Sequence, residues 1–90
     1  MATTGISHDL RRNVTGSQLR AARALIGWTA QQLADASGVG VATIRRAELI
    51  EGATRMTTPN IAAIRNAFAQ VNVEFTDGSE PGVKMKAARA

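Results

Sequence analysis

Arginine side chains are the groups in this 90-residue sequence best suited to bind another molecule. Residues 17–71 contain six arginines against three acidic residues, which gives this stretch a net charge of +3. A guanidinium group donates paired hydrogen bonds to phosphate oxygens or to O6 and N7 of guanine. The charge therefore favours a nucleic-acid partner, with an ordinary solvated basic face as the alternative interpretation. The six arginines are Arg20, Arg23, Arg45, Arg46, Arg55 and Arg65.

Few residues could support catalysis or bind a metal ion. The sequence has no cysteine and one histidine, His8, which excludes disulfides, thiolate zinc sites and cysteine nucleophiles. The segment Gly38-Val39-Gly40 joins two predicted helices and lacks the Gly-Lys-Ser/Thr sequence that completes a phosphate-binding loop. We therefore expect no enzyme activity, no cofactor and no metal. Because the sequence has neither a long apolar run nor a signal-peptide pattern, we expect a cytoplasmic protein with no membrane partner.

The middle of the chain has apolar residues at helical spacing. The predicted helices cover residues 17–27, 30–37, 41–49 and 59–71. Serine and threonine hydroxyls commonly accept the first free amide hydrogens of a helix, and glycine or asparagine commonly ends one in the left-handed conformation. The predicted N-caps are Ser17, Thr29 and Thr58, with Pro59 at the first position of the last helix. The predicted left-handed residues are Gly27, Gly38 and Asn72.

The two ends of the chain lack this helical period. Residues 1–16 are polar and are predicted to form a flexible N-terminal arm. The pair Arg11–Arg12 in this arm is either part of a solvated tail or a contact to phosphate or the minor groove. Residues 72–90 alternate between apolar and polar side chains on both sides of a loop rich in glycine and acidic residues. This pattern predicts a β-hairpin followed by a frayed tail.

The segment 29–48 is the most informative part of the sequence. It predicts two short helices joined by about three residues, which is a helix-turn-helix unit. Gly38 would turn the chain, Val39 would fill the gap between the helices, and Ile44 would bury the back of the second helix. The small side chain of Ala34 would let the two helices cross closely. The second helix of such a unit can enter the major groove of DNA.

Seven residues of this segment occur in an order that is typical of one family. They are Leu33, Ala34, Gly38, Val39, Thr43, Ile44 and Glu48. With this set, residues 17–71 resemble the phage repressor and Cro-type regulators, also called the xenobiotic-response-element family. The resemblance implies a mainly α fold, a four-helix repressor-like helix-turn-helix domain, to which this chain adds a C-terminal β-hairpin. It also implies a largely buried structural ion pair between Arg23 and Glu48, in which losing one partner costs about 3–5 kcal/mol.

The same resemblance implies how the domain would bind double-stranded DNA. In that family the N-terminus of the second helix lies over the phosphate backbone, and the start of the third helix faces the base edges. The arginines one turn further along reach bases or phosphates, and the loop after the third helix approaches phosphate. The implied DNA-binding residues are Thr29, Gln31, Gly40, Val41, Ala42, Thr43, Arg45, Arg46 and Arg55.

Three positions depart from the residues that are common in the family. Ala30 stands where Gln is frequent, Gly40 where Ser is frequent, and Val41 where Gln, Arg or Lys is frequent. Val41 and Ala42 can offer only apolar contact with a thymine methyl group. Polar recognition would then depend on the threonine and the two arginines that follow. We therefore expect a site that mixes thymine steps with a guanine.

These features predict a sequence-specific DNA-binding transcriptional regulator, a dimeric repressor or autoregulator that inserts helix 41–49 into the major groove. A single small module covers only about 600–1,000 Å² of surface, so a homodimer on a palindromic site is expected. The hairpin 72–86 or the last helix would form the dimer, whereas the competing expectation has the hairpin folded back on the first helix. The alternative function is a protein-interaction module, antitoxin- or anti-activator-like, that binds DNA weakly. It would dock a protein partner on the apolar Val41 and Ala42.

Overall fold

Four α-helices precede a two-stranded antiparallel sheet in the computed structural model, which describes residues 14–76 and 81–87. The helices are α1 (Gly16–Ile26), α2 (Ala30–Ser37), α3 (Val41–Glu48) and α4 (Thr58–Ala69). The strands are β1 (Val73–Thr76) and β2 (Gly82–Met85). The prediction of a mainly helical chain that ends in a β-hairpin is therefore confirmed. Within the described ranges, no helix is long and apolar enough to cross a membrane.

Threonine side chains begin three of the described helices. The hydroxyl groups of Thr15, Thr29 and Thr57 each accept a hydrogen bond from the amide three residues later. In α1 and α2 a glutamine side chain bonds back to the N-cap amide, which completes a capping box. The predicted caps Ser17 and Thr58 were therefore wrong by one or two residues. Ser17 has arginine three positions later, so it cannot form the reciprocal pair that Thr15 forms with Gln18.

Left-handed residues end the first two helices as predicted. Gly27 has φ 68° and Gly38 has φ 81°, values that residues with a Cβ rarely adopt. Helix α4 ends at Ala69, two residues earlier than predicted, and the chain turns through residues 70–72. Asn72 takes φ 68° in this turn, so its predicted left-handed conformation is also confirmed.

The hydrophobic core lies where the inner faces of the helices meet the buried face of the sheet. Phe68 of α4 is at its centre, with its ring centroid 5.4 Å from that of Trp28 and 5.5 Å from that of Phe75. Aromatic pairs at such distances add stability beyond the area that they bury. The other large side chains that are fully buried are Val14, Leu19, Leu33, Ile44, Ile64 and Val73.

Residues 14–16 belong to the folded domain and not to a flexible arm. Val14 is fully buried, and its carbonyl accepts a hydrogen bond from Thr54 N–H at 3.1 Å. Gly16 N–H bonds the Gly52 carbonyl at 3.0 Å, so this short segment pairs antiparallel with the loop after α3. The prediction that the arm extends to residue 16 was therefore wrong for residues 14–16. His8 and the Arg11–Arg12 pair lie outside the described residues.

The hairpin packs on its own helices. Strand β1 pairs antiparallel with β2, with Val73 opposite Met85 and Phe75 opposite Val83. The sheet contacts α1 and α4, and Gln18 of α1 donates from Nε2 to the carbonyls of Thr76 and Gly82, each at 2.9 Å. The competing expectation, a hairpin folded back on the first helix, therefore describes the structure of a single chain.

Candidate nucleic-acid interface

Helices α2 and α3 are joined by a tight turn at Gly38, Val39 and Gly40. Val39 is buried between the helices, and its amide donates to Ser37 Oγ at 3.1 Å. Ala34 and Ile44 are buried on the facing sides of α2 and α3. These are the positions that the sequence assigned to close packing, and together they fix the angle at which α3 leaves the turn.

The end of α3 is fastened to α1 by an ion pair. Arg23 Nε lies 2.6 Å from Glu48 Oε2, and Arg23 Nη2 lies 2.7 Å from Glu48 Oε1, so the guanidinium binds the carboxylate with two parallel hydrogen bonds. A third bond runs from Arg23 Nη1 to the Trp28 carbonyl at 2.8 Å. The Glu48 side chain is 9% exposed and that of Arg23 is 22% exposed. The hydrogen bond to Glu48 raises the pKa of Arg23, although partial burial acts in the opposite direction.

Arg20 reinforces the same junction. Its guanidinium donates to the Glu48 carbonyl from Nη1 and to Ser17 Oγ from Nη2. Ser17 Oγ in turn donates to the Glu51 carbonyl at 3.3 Å. These bonds commit the Arg20 guanidinium to the junction of α1 and α3. No local pattern predicts this role, because the acceptor is a backbone carbonyl 28 residues away.

The outer surface of α3 carries the residues that the family resemblance assigned to DNA. Ala42, Arg45 and Arg46 are exposed, as is Gly40 at the helix start. The side chain of neither arginine has a hydrogen bond or an ion pair to another described residue. Val41 and Thr43 are only partly exposed, because they lie at the border between this surface and the core.

One groove brings three of the predicted site residues together. It has a volume of about 260 Å³ and runs between α3 and the loop that follows it. Thr43, Arg46 and Arg55 supply its polar lining, and the other lining residues are apolar. The groove is lined by Thr43, Arg46, Ala47, Ile50, Arg55 and Met56. Arg45 is not among the lining residues and lies on the exposed side of α3.

The predicted residues of α2 are exposed, but their polar groups are used within the helix. The Thr29 hydroxyl accepts from Gln32 N–H at 3.0 Å, and Gln32 Oε1 accepts from Thr29 N–H at 2.8 Å. Gln31 Nε2 donates to Asp35 Oδ1 at 3.0 Å. Of the Gln31 side-chain donors, only the second Nε2 N–H is left for a phosphate contact. The acidic Asp35 one turn away makes this end of α2 less cationic than the groove.

Two exposed apolar residues follow α3 and were not among the predicted site residues. Leu49 is 83% exposed and the adjacent Ile50 is 37% exposed. Both residues lie beyond the buried face of α3, which ends at Ala47 and Glu48. The helical period could have found Leu49, because its position falls outside the stripe that Ile44 and Ala47 define, whereas Ile50 follows Ala47 by three residues.

Comparison with protein-family models, with curated proteins and with solved structures finds no match to this chain. Over the described ranges, no group of three or more histidine, cysteine, aspartate or glutamate side chains could hold a metal ion.

Proposed function

We propose that this protein is a sequence-specific regulator that binds double-stranded DNA by inserting α3 into the major groove. The observation that carries the proposal is the groove in which Thr43, Arg46 and Arg55 meet beside the exposed Arg45. The three arginines of this surface have no described protein partner, so their donors are available to a ligand. The helix-turn-helix geometry and the buried fastening of α3 supply the rigid support that such recognition needs.

The division of contacts follows from the chemistry of each side chain. Arg45 and Arg46 are long enough to reach O6 and N7 of guanine, a contact worth about 1–3 kcal/mol of discrimination. Ala42 is the exposed apolar residue of α3 and would contact a thymine methyl group. Arg55, on the loop beyond the groove, would bind a phosphate and fix the position of the domain.

Double-stranded DNA fits this surface better than an RNA helix. The major groove of B-form DNA is about 12 Å wide and admits an α-helix, whereas the deep major groove of A-form RNA does not. The described chain also has no pair of exposed aromatic side chains on which single-stranded bases could stack, since Phe68 and Phe75 are buried and Trp28 packs, partly buried, against Phe68.

The proposal is tested by selecting random duplex DNA on the purified protein at physiological salt. We expect an enriched motif that contains a guanine and thymine steps, with an affinity in the range of about 10⁻⁸ M that specific regulators reach. A titration over several salt concentrations should give a linear fall of log K with log salt, because phosphate contacts release counterions. Binding that shows no enriched motif would contradict the proposal.

A second candidate function is supported by the exposed Leu49 and Ile50. An exposed apolar step beside a helix-turn-helix unit is a feature of protein-docking surfaces. This candidate replaces the Val41 and Ala42 patch expected from the sequence, because Val41 packs partly against the core. It predicts that Leu49→Ser abolishes capture of a protein partner and leaves DNA affinity unchanged.

A further inference from the structure

The two outer edges of the β-hairpin differ in their accessibility. The Lys86 amide donates to the Asn72 carbonyl at 2.7 Å, which sets the alternation of bonded and non-bonded pairs along the hairpin. The backbone groups of Val73 and Phe75 therefore point out of one edge, and those of Val83 and Met85 point out of the other. Val73 is 1% exposed and Phe75 is 4% exposed, so the β1 edge is closed by the fold.

The β2 edge is open. Met85 is 49% exposed and Val83 is partly exposed. Their backbone groups make no hydrogen bond with any other described residue outside the pairing of the two strands. An unpaired strand edge with apolar side chains is a template for adding another strand. Packing on α1 and α4 therefore covers one edge of the hairpin and leaves the other accessible.

We propose that the open β2 edge binds the same edge of a second copy of this chain, so that the two hairpins form one four-stranded antiparallel sheet across a two-fold axis. In the register centred on Lys84, Val83 of each copy pairs with Met85 of the other. Every outward-pointing N–H and C=O group of these residues then has a partner. The surface is self-complementary, which is the requirement for a two-fold interface.

The side chains of the edge agree with this pairing. Met85 lies opposite Val73, so it is on the same side of the sheet as the core residues, and half of it remains exposed because the helices do not cover it. In the dimer it would contact Val83 of the second copy on that side. On the other side of the sheet, Lys84 would lie opposite Lys84 of the second copy. The Glu74 carboxylate of the same chain, 3.7 Å from Lys84 Nζ, offsets the repulsion between the two lysines.

The interface lies away from the proposed DNA surface. The sheet packs on α1 and α4, whereas α3 packs on α1 and α2. Association through β2 therefore does not depend on whether α3 binds DNA, and the two proposals can fail separately.

Sedimentation of the protein alone, without DNA, tests this proposal. Because a short strand pair buries little area, we expect weak association that becomes visible over a range of about 5–500 μM. The average mass should rise from 9.5 kDa at the lowest concentration toward twice that value at the highest. A mass of 9.5 kDa throughout the range would overturn the proposal.

Two substitutions at one position test the surface. Met85→Pro removes an amide that points away from β1, so it keeps the bonds within the hairpin, and proline is tolerated at such edge positions. Met85→Glu keeps the amide and places a charge on the apolar side. We expect each to weaken association at least tenfold with the fold retained. The matched control Leu25→Ser removes a different exposed apolar side chain, which lies on α1 and is 45% exposed, and should change association less than twofold. Unchanged association of both Met85 variants would overturn the proposal.

Amide hydrogen exchange gives a residue-level readout that does not require a variant. The amides of Val83 and Met85 should become at least tenfold more protected between the lowest and highest concentrations. The Lys84 amide faces β1 and should be protected equally at both concentrations. Equal exchange of Val83 and Met85 at the two concentrations would contradict the pairing.

Discussion

The arginines of α1 and the arginines around α3 have the same charge and different surroundings. Arg20 and Arg23 bind oxygens of Glu48, and together they hold the end of α3 against α1. Arg45, Arg46 and Arg55 are exposed and bind no described residue. A count of basic residues treats all five alike. An arginine whose side-chain donors are bonded to protein oxygens therefore supports the fold, whereas one whose side-chain donors have no protein acceptor is a candidate for ligand binding.

The largest effect is expected where the scaffold is broken. Glu48→Ala would leave the guanidinium of Arg23 partly buried without its carboxylate, at a cost of about 3–5 kcal/mol. This is a large fraction of the stability of a small domain, so the variant should be mostly unfolded at 37 °C. Thermal unfolding followed by circular dichroism measures the loss. The matched control is Glu51→Ala, an exposed acid three residues away, which should change the free energy of unfolding by less than about 0.5 kcal/mol. A Glu48→Ala variant as stable as this control would show that the ion pair is not needed.

A second break in the scaffold would act through backbone packing. A Cβ at Gly16 would lie 1.7 Å from the Ile50 carbonyl oxygen, so α1 could not approach the loop after α3 as closely. Gly16→Ala is expected to destabilise the domain by about 1–3 kcal/mol, the usual cost of overpacking. Urea denaturation measures it. Gly52→Ala serves as the control because a Cβ there meets no atom within 4 Å. Equal stability of the two variants would mean that the close approach at Gly16 relaxes without cost.

Substitutions of the exposed arginines on α3 should lower DNA affinity and leave the stability of the domain unchanged. Arg45→Gln and Arg46→Gln remove a charge but keep a polar side chain on exposed positions, so the melting temperature should stay within about 2 °C. Affinity for the selected DNA motif should fall by about 1–3 kcal/mol per substitution, and specificity at the guanine should relax. Fluorescence anisotropy with matched and guanine-substituted duplexes measures both. Arg65→Gln is the control because Arg65 lies over the Phe75 ring on another side of the domain. DNA affinity that falls equally in all three variants would indicate a nonspecific effect of net charge.

Local patterns in the sequence predicted the parts of the fold that depend on neighbouring residues. Gly27 and Gly38 adopt the left-handed conformation because they have no Cβ, and asparagine is one of the few other residues that tolerate it, as at Asn72. The alternation at 73–76 predicted a strand. The pairing of residues 14–16 with the loop at 52–54 was missed, since neither segment has a periodic pattern and the contact joins distant parts of the chain. The bonds from Gln18 to the hairpin were missed for the same reason.

The candidate site shows the same limit. The family resemblance implied the Arg23–Glu48 pair, which composition and spacing could not have specified, and the structure contains that pair. The residues assigned to DNA on α3 are mostly exposed, and the groove joins Thr43 and Arg46 to Arg55. The role of Arg20 and the exposure of Leu49 depend on how α1 and α3 meet, so only the packed structure reveals them.

The smallest effects are expected when one arginine from each group is replaced by glutamine and the two variants are compared. Arg20→Gln loses a charged donor to the Glu48 carbonyl and should lower the free energy of unfolding by about 1 kcal/mol, while DNA affinity remains the same. Arg55→Gln should leave stability unchanged, weaken binding uniformly across DNA sequences, and reduce the salt slope by about one. Chemical denaturation measures the free energy of unfolding of each variant, and salt titrations of DNA binding measure the salt slope of each. If Arg20→Gln reduced the salt slope as much as Arg55→Gln, then Arg20 would also bind phosphate, and engagement with a backbone carbonyl would not separate scaffold arginines from ligand-binding ones.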